Sequence, residues 1–295
     1  MQKYHKLPTH ASTHLRTEGL RQAATLRASN GRGHMGLASD DLARLGLAHG
    51  LSPWGAVVQS LDAPSAALVA PDTPLYPASM IKTPLAAVTL AEVAAGRFAI
   101  DDQIAVSAAN LTHNDAPSPL VPGYRATVRE LCVRAIAFSD NVATNELFDL
   151  VGRERASELA RERLGLRATA FFRKLSGSEP LILDRGWDGE HRNTHPPADA
   201  AALLAAIARD EIPHADLLGE ALAAQIWHEK LARGLRAGDR FAHKTGDTDE
   251  VTHDGGILTT REGRRYVIVV YLGNESSETN NARLASFMEA LRALL

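Results

Sequence analysis

The sequence contains a single cysteine, Cys132, in a chain of 295 residues. One cysteine cannot form an intramolecular disulfide, and no cysteine cluster is available for a metal. Cys132 lies within the apolar run of residues 128–138, where a free thiol usually behaves as a small buried hydrophobe. We therefore predict a structural role for Cys132 and no disulfide framework.

Long apolar runs are also absent. No run reaches the roughly 18 residues that a transmembrane helix requires. The first ten residues, and the mixed polar stretch that follows them to about residue 34, contain no continuous apolar segment, so no secretory signal is visible. The sequence as written therefore predicts a cytoplasmic protein, and a periplasmic or secreted one if a signal has been removed.

A large excess of charge of either sign is absent as well. The chain has 32 Lys and Arg residues and 35 Asp and Glu residues, which gives a formal net charge of -3. A chain without a basic excess is a poor ligand for nucleic acid, whereas 45% hydrophobic and 23% charged residues are typical of a globular protein. We expect a small-molecule substrate, no nucleic-acid or membrane partner, and a monomer.

Strand patterns lie at the two ends of the chain. Residues 54–60 and 66–70 are short apolar or β-branched runs bounded by Pro and Gly, which predicts a hairpin. Residues 254–260 and 266–272 predict a second hairpin, and the run 266–272 is apolar without a break, as in a strand covered on both faces. Residues 283–295 predict a closing helix.

The segment between the two ends, residues 79–235, is dominated by Ala, Leu, Arg and Glu in helical patterns. If the strands of the two ends pair, the chain forms an α/β fold, in which an antiparallel sheet flanked by helices is built from both chain ends. An all-helical domain is then inserted between them. We expect the sheet domain over residues 1–75 and 225–295, the helical domain over 76–224, and an active site in the cleft between the domains.

The first chemical string is Ser79-Met80-Ile81-Lys82, at the start of a predicted helix over residues 80–95. Positions i and i+3 share a helical face, so the Lys82 amine can approach the Ser79 hydroxyl. A serine becomes a useful nucleophile when an adjacent base takes its proton. The alternative is a helix-capping Ser79 and a solvated Lys82.

The second string is Ser139-Asp140-Asn141, between the predicted helices 127–138 and 143–150. A short turn between two helices can hold side chains rigidly and direct them into a cleft. The same three residue types are also favoured at helix N-caps, so an ordinary cap is the alternative.

The third string is Lys244-Thr245-Gly246, at the end of a predicted strand over residues 240–246. It combines a cation, a hydroxyl and a glycine, and glycine in a strand permits close approach by a substrate backbone. S-x-x-K, S-D-N and K-T-G occur here in that order. Together the strings resemble those of the penicillin-recognising serine hydrolases, and most of all those of the class A β-lactamases, over roughly residues 38–295.

The resemblance implies a role for each string. Ser79 would be the nucleophile, activated by Lys82 or by a water that Glu179 holds. Ser139 would relay a proton to the leaving nitrogen. Asn141 would orient Lys82 and bind the acyl-amide group of the substrate. The same resemblance implies the α/β fold described above and no cofactor.

At the third string, Lys244 and Thr245 would bind the carboxylate shared by β-lactams and D-alanyl peptides. The backbone N–H groups of Ser79 and Asp247 would form the oxyanion hole. The family often places an Arg near residue 253 to help hold the carboxylate, and no Arg stands there in this sequence. His253 is the candidate replacement.

Class A β-lactamases release their acyl group with a Glu that activates water, in a loop pattern Arg-x-Glu-Pro-x-x-Asn. Glu179-Pro180 is the only Glu-Pro pair between the second and third strings. Counting back from Arg192-Asn193-Thr194, which resembles the end of that loop, places Glu179 about one residue from the expected position. Counting forward from the helix end near Leu166 places that position near Leu175. Glu179 is therefore a candidate general base, with an ordinary loop residue as the alternative.

The same loop departs from the family pattern in other ways. Gly177, Leu183 and Asn193 stand where the pattern has Arg, Asn and Asp. His191 and His195 also lie in this loop, but no metal-binding motif surrounds them, and no metal site is expected.

Three functions remain open from the sequence. The first is a β-lactamase-type serine hydrolase that opens the β-lactam amide through an acyl-enzyme on Ser79. The second is a D-alanyl carboxypeptidase or esterase of the same fold. The third is a penicillin-binding protein or sensor that is acylated without turnover.

Overall fold

A computed structural model of the protein describes residues 36–177 and 181–295. The mixed polar stretch, which ends near residue 34, lies outside these ranges, and so does Glu179. Among the described residues, no helix is both long enough and apolar enough to cross a membrane.

The strands form two antiparallel sheets, of five and two strands. The large sheet has the order β2-β1-β7-β6-β5, and β3 pairs with β4 in the small one. The strand bounds are β1 Trp54–Ser60, β2 Ala66–Val69, β3 Gln103–Ala105, β4 Arg125–Thr127, β5 Arg240–Asp247, β6 Thr252–Thr259 and β7 Arg265–Leu272. The large sheet is thus built from both ends of the described chain, as predicted.

The described part of the chain also contains eight α-helices. Their bounds are α1 Ser39–Ala48, α2 Lys82–Ala94, α3 Val128–Ala137, α4 Asn141–Val151, α5 Arg153–Arg163, α6 Pro197–Ala208, α7 Ala215–Ala223 and α8 Glu278–Arg292. Short 3-10 turns span Ala78–Ile81, Ala108–Asn110 and Leu231–Gly234. The middle segment is mostly helical, but it also carries the small sheet β3–β4, so the expectation of an all-helical insertion was wrong in this detail.

Strand β7 is covered on both faces, as its unbroken apolar sequence predicted. It pairs with β1 on one side, where Val269 faces Val57, and with β6 on the other. Because successive residues of a strand point to opposite faces, Val269 joins the core of the middle helices, whereas Val270 joins the core under α1 and α8. Burial of each such side chain is worth about 1.5–3 kcal/mol, so β7 anchors both cores.

Both predicted hairpins are confirmed, and the helix boundaries differ from prediction by a few residues. The closing helix α8 begins at Glu278 rather than at residue 283, because the Ser277 side chain caps it by accepting a hydrogen bond from the Asn280 N–H. Helix α3 is capped in the same way by Thr127, whose hydroxyl accepts from the Glu130 N–H at 3.0 Å.

Cys132 lies in the core formed by the middle helices, with 1% of its surface exposed. Burial raises the pKa of its thiol to about 12. A thiol that stays protonated is neither a nucleophile nor a metal ligand. The predicted structural role of Cys132 is therefore confirmed.

The C-terminal end of α8 is tied to the large sheet by a buried ion pair. The guanidinium of Arg292 donates to both carboxylate oxygens of Asp239, at 2.8 and 3.0 Å, and to Glu262 at 2.7 Å. The side chains of Arg292 and Asp239 are 1% and 0% exposed. Asp239 immediately precedes β5 and Glu262 lies in the turn between β6 and β7, so one arginine joins three parts of the fold.

Candidate active site

A cleft of about 370 Å³ opens where the start of α2, the turn before α4 and the end of β5 meet. Residues from all three predicted strings line it, together with residues that the sequence did not single out. The lining residues are Ser79, Asp115, Ser139, Trp227, Glu229, Lys230, Thr245, Asp247, Ser276 and Asn281.

Ser79 lies in the 3-10 turn Ala78–Ile81 that leads directly into α2. The preceding Ala78 has a φ of 48°, a left-handed conformation that costs a non-glycine residue of order 1–3 kcal/mol. Within the described part of the chain, the Ser79 hydroxyl has no hydrogen-bond partner. A strained turn thus presents an uncommitted hydroxyl to the cleft.

Gly246 lies in close contact with the turn that carries Ser79. A Cβ atom at this position would lie 2.9 Å from the carbonyl oxygen of Pro77 and 3.2 Å from the backbone nitrogen of Met80. The space on this side of Gly246 is therefore filled by the turn that carries Ser79. The glycine lets the end of β5 pack directly against the nucleophile turn.

Lys82 is the first residue of α2, and its side chain is fully buried. Its amine donates to the Ser139 carbonyl at 2.6 Å, to the Asn141 side-chain oxygen at 2.7 Å and to the Ser139 hydroxyl at 3.1 Å. Burial lowers the pKa of Lys82 to about 7. A substantial fraction of this amine is therefore neutral near pH 7.

Ser139 joins the first string to the third. Its hydroxyl lies 3.1 Å from the Lys82 amine and 2.9 Å from the Lys244 amine. The residue has a φ of 55°, the second strained position in the site after Ala78. Strain of this kind persists where the surrounding structure holds it, and here it holds one hydroxyl between two amines.

Asp140 and Asn141 start helix α4. Asp140 is buried, caps the helix through the Ala143 N–H at 3.0 Å, and also accepts from the Ser118 hydroxyl and the Arg134 guanidinium. The Asn141 side chain accepts from Lys82 and donates to the His113 carbonyl at 2.9 Å. The turn therefore does both things that the sequence offered as alternatives. Asp140 caps a helix, and Asn141 contacts Lys82 beside the cleft.

Lys244 and Thr245 lie near the end of β5, and both are almost fully buried. The Lys244 amine donates to the Ser139 hydroxyl and, at 2.8 Å, to the Thr245 carbonyl. Burial, together with the nearby charges of Lys82 and Lys230, lowers the pKa of Lys244 well below its usual value. Thr245 is the member of this pair that lines the cleft.

The structure contradicts the candidate role of His253 in carboxylate binding. Its side chain is fully buried and stacks on Tyr271, with ring centroids 4.0 Å apart. One ring nitrogen bonds to the Tyr76 carbonyl at 2.8 Å, and the other accepts from the Leu272 N–H at 3.2 Å. Burial lowers the pKa of His253 to about 4, so the ring is neutral and has no free donor for a substrate.

Lys230 is a cleft cation that sequence reasoning missed. It immediately precedes the 3-10 turn Leu231–Gly234, and its amine bonds to the Asp247 carboxylate at 2.5 and 2.6 Å. A lone lysine in a polar stretch carries no periodic or motif signal. Only the proximity of this stretch to β5 in the fold identifies the residue.

The loop expected to carry the deacylating group is described except for residues 178–180, which include Glu179. Leu175 is buried; it stands where counting forward from the helix end near Leu166 places the general base. The side chain of Asn145 holds its backbone on both sides, accepting from the Leu175 N–H and donating to its carbonyl, each at 2.9 Å. The residue that α4 holds in place through Asn145 therefore has an apolar side chain, which cannot act as a base.

Asn193 organises the same loop without an ion pair. Its side-chain oxygen accepts from the N–H groups of Phe172 and Arg173, and its amide donates to the Arg173 carbonyl at 2.9 Å. A separate ion pair between Arg153 and Asp184 fastens the loop to α5. Neutral hydrogen bonds thus stand where the family pattern has an Asp.

No group of three potential metal ligands is present in residues 36–177 and 181–295. His195 is buried and bonds to the Thr169 hydroxyl at 2.8 Å, and burial lowers its pKa to about 3. His191 instead pairs with Asp188 on the surface at 2.6 Å. These two histidines of the loop therefore serve different local contacts.

Comparison with known proteins finds a matching family and several similar proteins. A family model described as the Beta-lactamase enzyme family matches residues 38–291. The extended-spectrum beta-lactamase PER-1 of Pseudomonas aeruginosa is 27% identical over 229 residues, which cover 70% of this chain and 71% of that protein.

Solved structures of similar fold include β-lactamases and a PBP-A. An ancestral class A beta-lactamase (GNCA) superposes with a TM-score of 0.71 at 28% identity, over 86% of this chain and 98% of that one. The structure of PBP-A superposes with a TM-score of 0.73 at 22% identity, over 87% of this chain and 96% of that one.

Proposed function

The chain belongs to the beta-lactamase enzyme family, and we propose that it is a serine hydrolase that opens a β-lactam amide through an acyl-enzyme on Ser79. The observation that carries the proposal is the position of the Ser139 hydroxyl, bonded to the amines of both Lys82 and Lys244 in the cleft that Ser79 lines. This arrangement joins the proposed base and the proposed proton donor by a hydrogen bond and places both beside the cleft that the proposed nucleophile lines.

In the proposed acylation step, the neutral amine of Lys82 takes the proton of the Ser79 hydroxyl as its oxygen attacks the carbonyl carbon. The new oxyanion accepts hydrogen bonds from the N–H groups of Ser79 and Asp247. When the C–N bond breaks, Ser139 gives its proton to the ring nitrogen and recovers one from Lys82. The close packing of Gly246 against the Ser79 turn supports this pairing of the two N–H groups.

We assign substrate contacts to residues around this centre. Asn141, which holds Lys82 at 2.7 Å, would contact the acyl-amide group. Thr245 lines the cleft and would contact the group next to the scissile amide, which in β-lactams is a carboxylate. Lys244 acts there through its bond to Ser139.

Hydrolysis requires a base that activates water, and we assign this role to Glu179. Glu179 takes a proton from the water as the water oxygen adds to the acyl carbon. When the bond from this carbon to the Ser79 oxygen breaks, that proton returns to the Ser79 oxygen, which leaves as a hydroxyl. The second candidate function is a penicillin-binding protein that keeps its acyl group. Leu175 favours this second candidate. It is apolar and buried, and Asn145 holds it at the position where counting forward from the helix end near Leu166 places the general base.

The test of acylation is the intact mass of the protein after incubation with benzylpenicillin. We expect an adduct of the wild-type protein and none of Ser79→Ala, because the acyl group needs the Ser79 oxygen. Ser176→Ala, which removes a hydroxyl in the neighbouring loop, should leave the adduct unchanged. An adduct of equal yield on Ser79→Ala would refute the assignment of the nucleophile.

The fate of the adduct separates the two candidates. If Glu179 activates water, Glu179→Gln should turn a transient adduct into one that persists, while the exposed loop residue Glu190 should tolerate the same change. An adduct that already persists on the wild-type protein would identify a penicillin-binding protein. Unchanged turnover by Glu179→Gln would remove Glu179 from the mechanism.

A further inference from the structure

Lys230 and Asp247 form an ion pair within the cleft. Both residues line it together with Ser79 and Thr245. The Lys230 amine lies 2.5 and 2.6 Å from the two carboxylate oxygens and 3.2 Å from the His253 carbonyl. An ammonium has three N–H donors, so these three contacts leave Lys230 none for a substrate.

The two partners are not equally accessible. The side chain of Lys230 is 3% exposed, whereas that of Asp247 is 41% exposed. A group that enters the cleft therefore meets the carboxylate before it meets the ammonium. Burial opposes ionisation of Asp247, but the charge and hydrogen bond of Lys230 outweigh it and hold the pKa of this carboxyl below its usual value.

The ion pair lies at the end of the cleft where a substrate carboxylate is expected. Thr245 and Asp247 are two residues apart on β5, so their side chains project from the same face of the sheet. Two residues of a strand span roughly 7 Å. A carboxylate held by Thr245 would thus approach the Asp247 carboxylate, and like charges at such a distance repel. The neighbouring Lys244 compensates little, because burial and the charges of Lys82 and Lys230 lower its pKa well below the usual value.

We infer that the Lys230–Asp247 pair is a specificity determinant that selects against substrates with a free carboxylate beside the scissile amide. The protein supplies its own carboxylate to the cleft cation, so a neutral group at this position is accommodated at lower cost. The preferred acyl donors are therefore amides or lactams whose neighbouring carboxyl is absent, esterified or amidated. This inference rests on the proposed acylation of Ser79.

The test compares two probes that differ only in this group, benzylpenicillin and its methyl ester. The measured quantity is the ratio of the Ser79 acylation rate with the free acid to the rate with the ester, followed by intact mass. Asp247→Asn keeps the backbone N–H and removes the charge, so the ratio should rise by about tenfold. Lys230→Gln removes the cation and should lower the ratio by at least about threefold.

Glu229→Gln is the matched control, because Glu229 is an exposed carboxylate that lines the same cleft. Its ratio should stay within about threefold of the wild-type ratio. A rise equal to that of Asp247→Asn would attribute the effect to the net charge of the cleft and overturn the inference. An unchanged ratio in Asp247→Asn would overturn it as well. If neither probe acylates the wild-type protein, the proposed function itself fails.

Discussion

Lys82 and Lys244 bring two amines to one hydroxyl, that of Ser139. Both lysines are almost fully buried, and burial disfavours the charged form of an amine. The charge of Lys82 adds to this effect at Lys244. Two ammonium ions around one hydroxyl are unfavourable, so the arrangement favours a neutral amine that can accept a proton.

The rate of Ser79 acylation should therefore rise with pH and level off. Lys82 must lose its proton before it can take that of Ser79, and its pKa is about 7. Below this pKa, each pH unit reduces the neutral fraction about tenfold, so the rate at about pH 6 should be about one tenth of the plateau rate. Rapid-quench mass measurements of the adduct across about pH 5.5–8.5 check this, with the methyl ester as probe.

Lys82→Arg is the control for the pH profile. A guanidinium stays protonated throughout this range, so the variant should lose acylation at every pH. A wild-type rate that is constant over the range, or that falls as the pH rises, would show that Lys82 is not the base.

At the residue scale, the three strings predicted the members of the site better than single residues did. Ser79, Ser139 and Thr245 meet in one cleft. The prediction that His253 binds the substrate carboxylate rested only on its place in the sequence. It was wrong, because the side chain stacks inward on Tyr271. Strand alternation and burial, which decide where a side chain points, are not visible in a residue count.

At the scale of elements, the end of β5 and the turn Ala78–Ile81 are in backbone contact at Gly246. Gly246→Ala should reduce acylation of Ser79 at least tenfold, because a methyl group there would force the strand away from the turn and separate the two N–H groups of the oxyanion site. Overpacking of this kind should also cost about 1–3 kcal/mol of stability. Adduct formation and urea unfolding measure the two effects.

Gly219→Ala is the matched glycine control. Gly219 lies within α7, and a Cβ atom there would meet only Ile207, at 4.0 Å. Because alanine is the better helix former, the variant should gain about 0.5–1 kcal/mol in stability and keep its acylation rate. Wild-type acylation by Gly246→Ala would contradict the proposed role of the close contact.

The sequence predicted the strands more fully than the helix starts. Apolar runs mark β1 and β7, and β6 was predicted from its place before the charged turn that leads into β7. The start of α8 is set by a polar cap, Ser277, and a pattern based on apolar residues finds it five residues late. The sheet β3–β4 has only three residues in each strand, too few for a periodic signal.

At the scale of the whole molecule, Arg292 joins α8, the start of β5 and the turn between β6 and β7. Arg292→Met should lower the free energy of unfolding by about 3–5 kcal/mol, because it leaves the fully buried Asp239 carboxylate without its partner. Urea denaturation of the wild-type protein and the variant measures the difference.

Arg261→Met is the control on the surface. Arg261 pairs with Glu262, and the two side chains are 61% and 40% exposed. Exposed pairs contribute about 0–1 kcal/mol, so this variant should unfold almost as the wild-type protein does. Equal losses in both variants would show that burial of the Arg292–Asp239 pair is not what stabilises the fold.

The strand order also dictates when the sheet can close during synthesis. Strand β7 lies between β1 and β6, yet it is the last of the strands to be synthesised. Val57 of β1 therefore cannot pair until Val269 of β7 has been made. Until then β1 has only β2 as a partner, and its other edge offers unpaired backbone groups to any neighbouring strand. Pairing over such a sequence separation is slow to form. A nascent chain that ends before residue 265 is therefore an aggregation hazard, even though the helices of its middle segment have already been made.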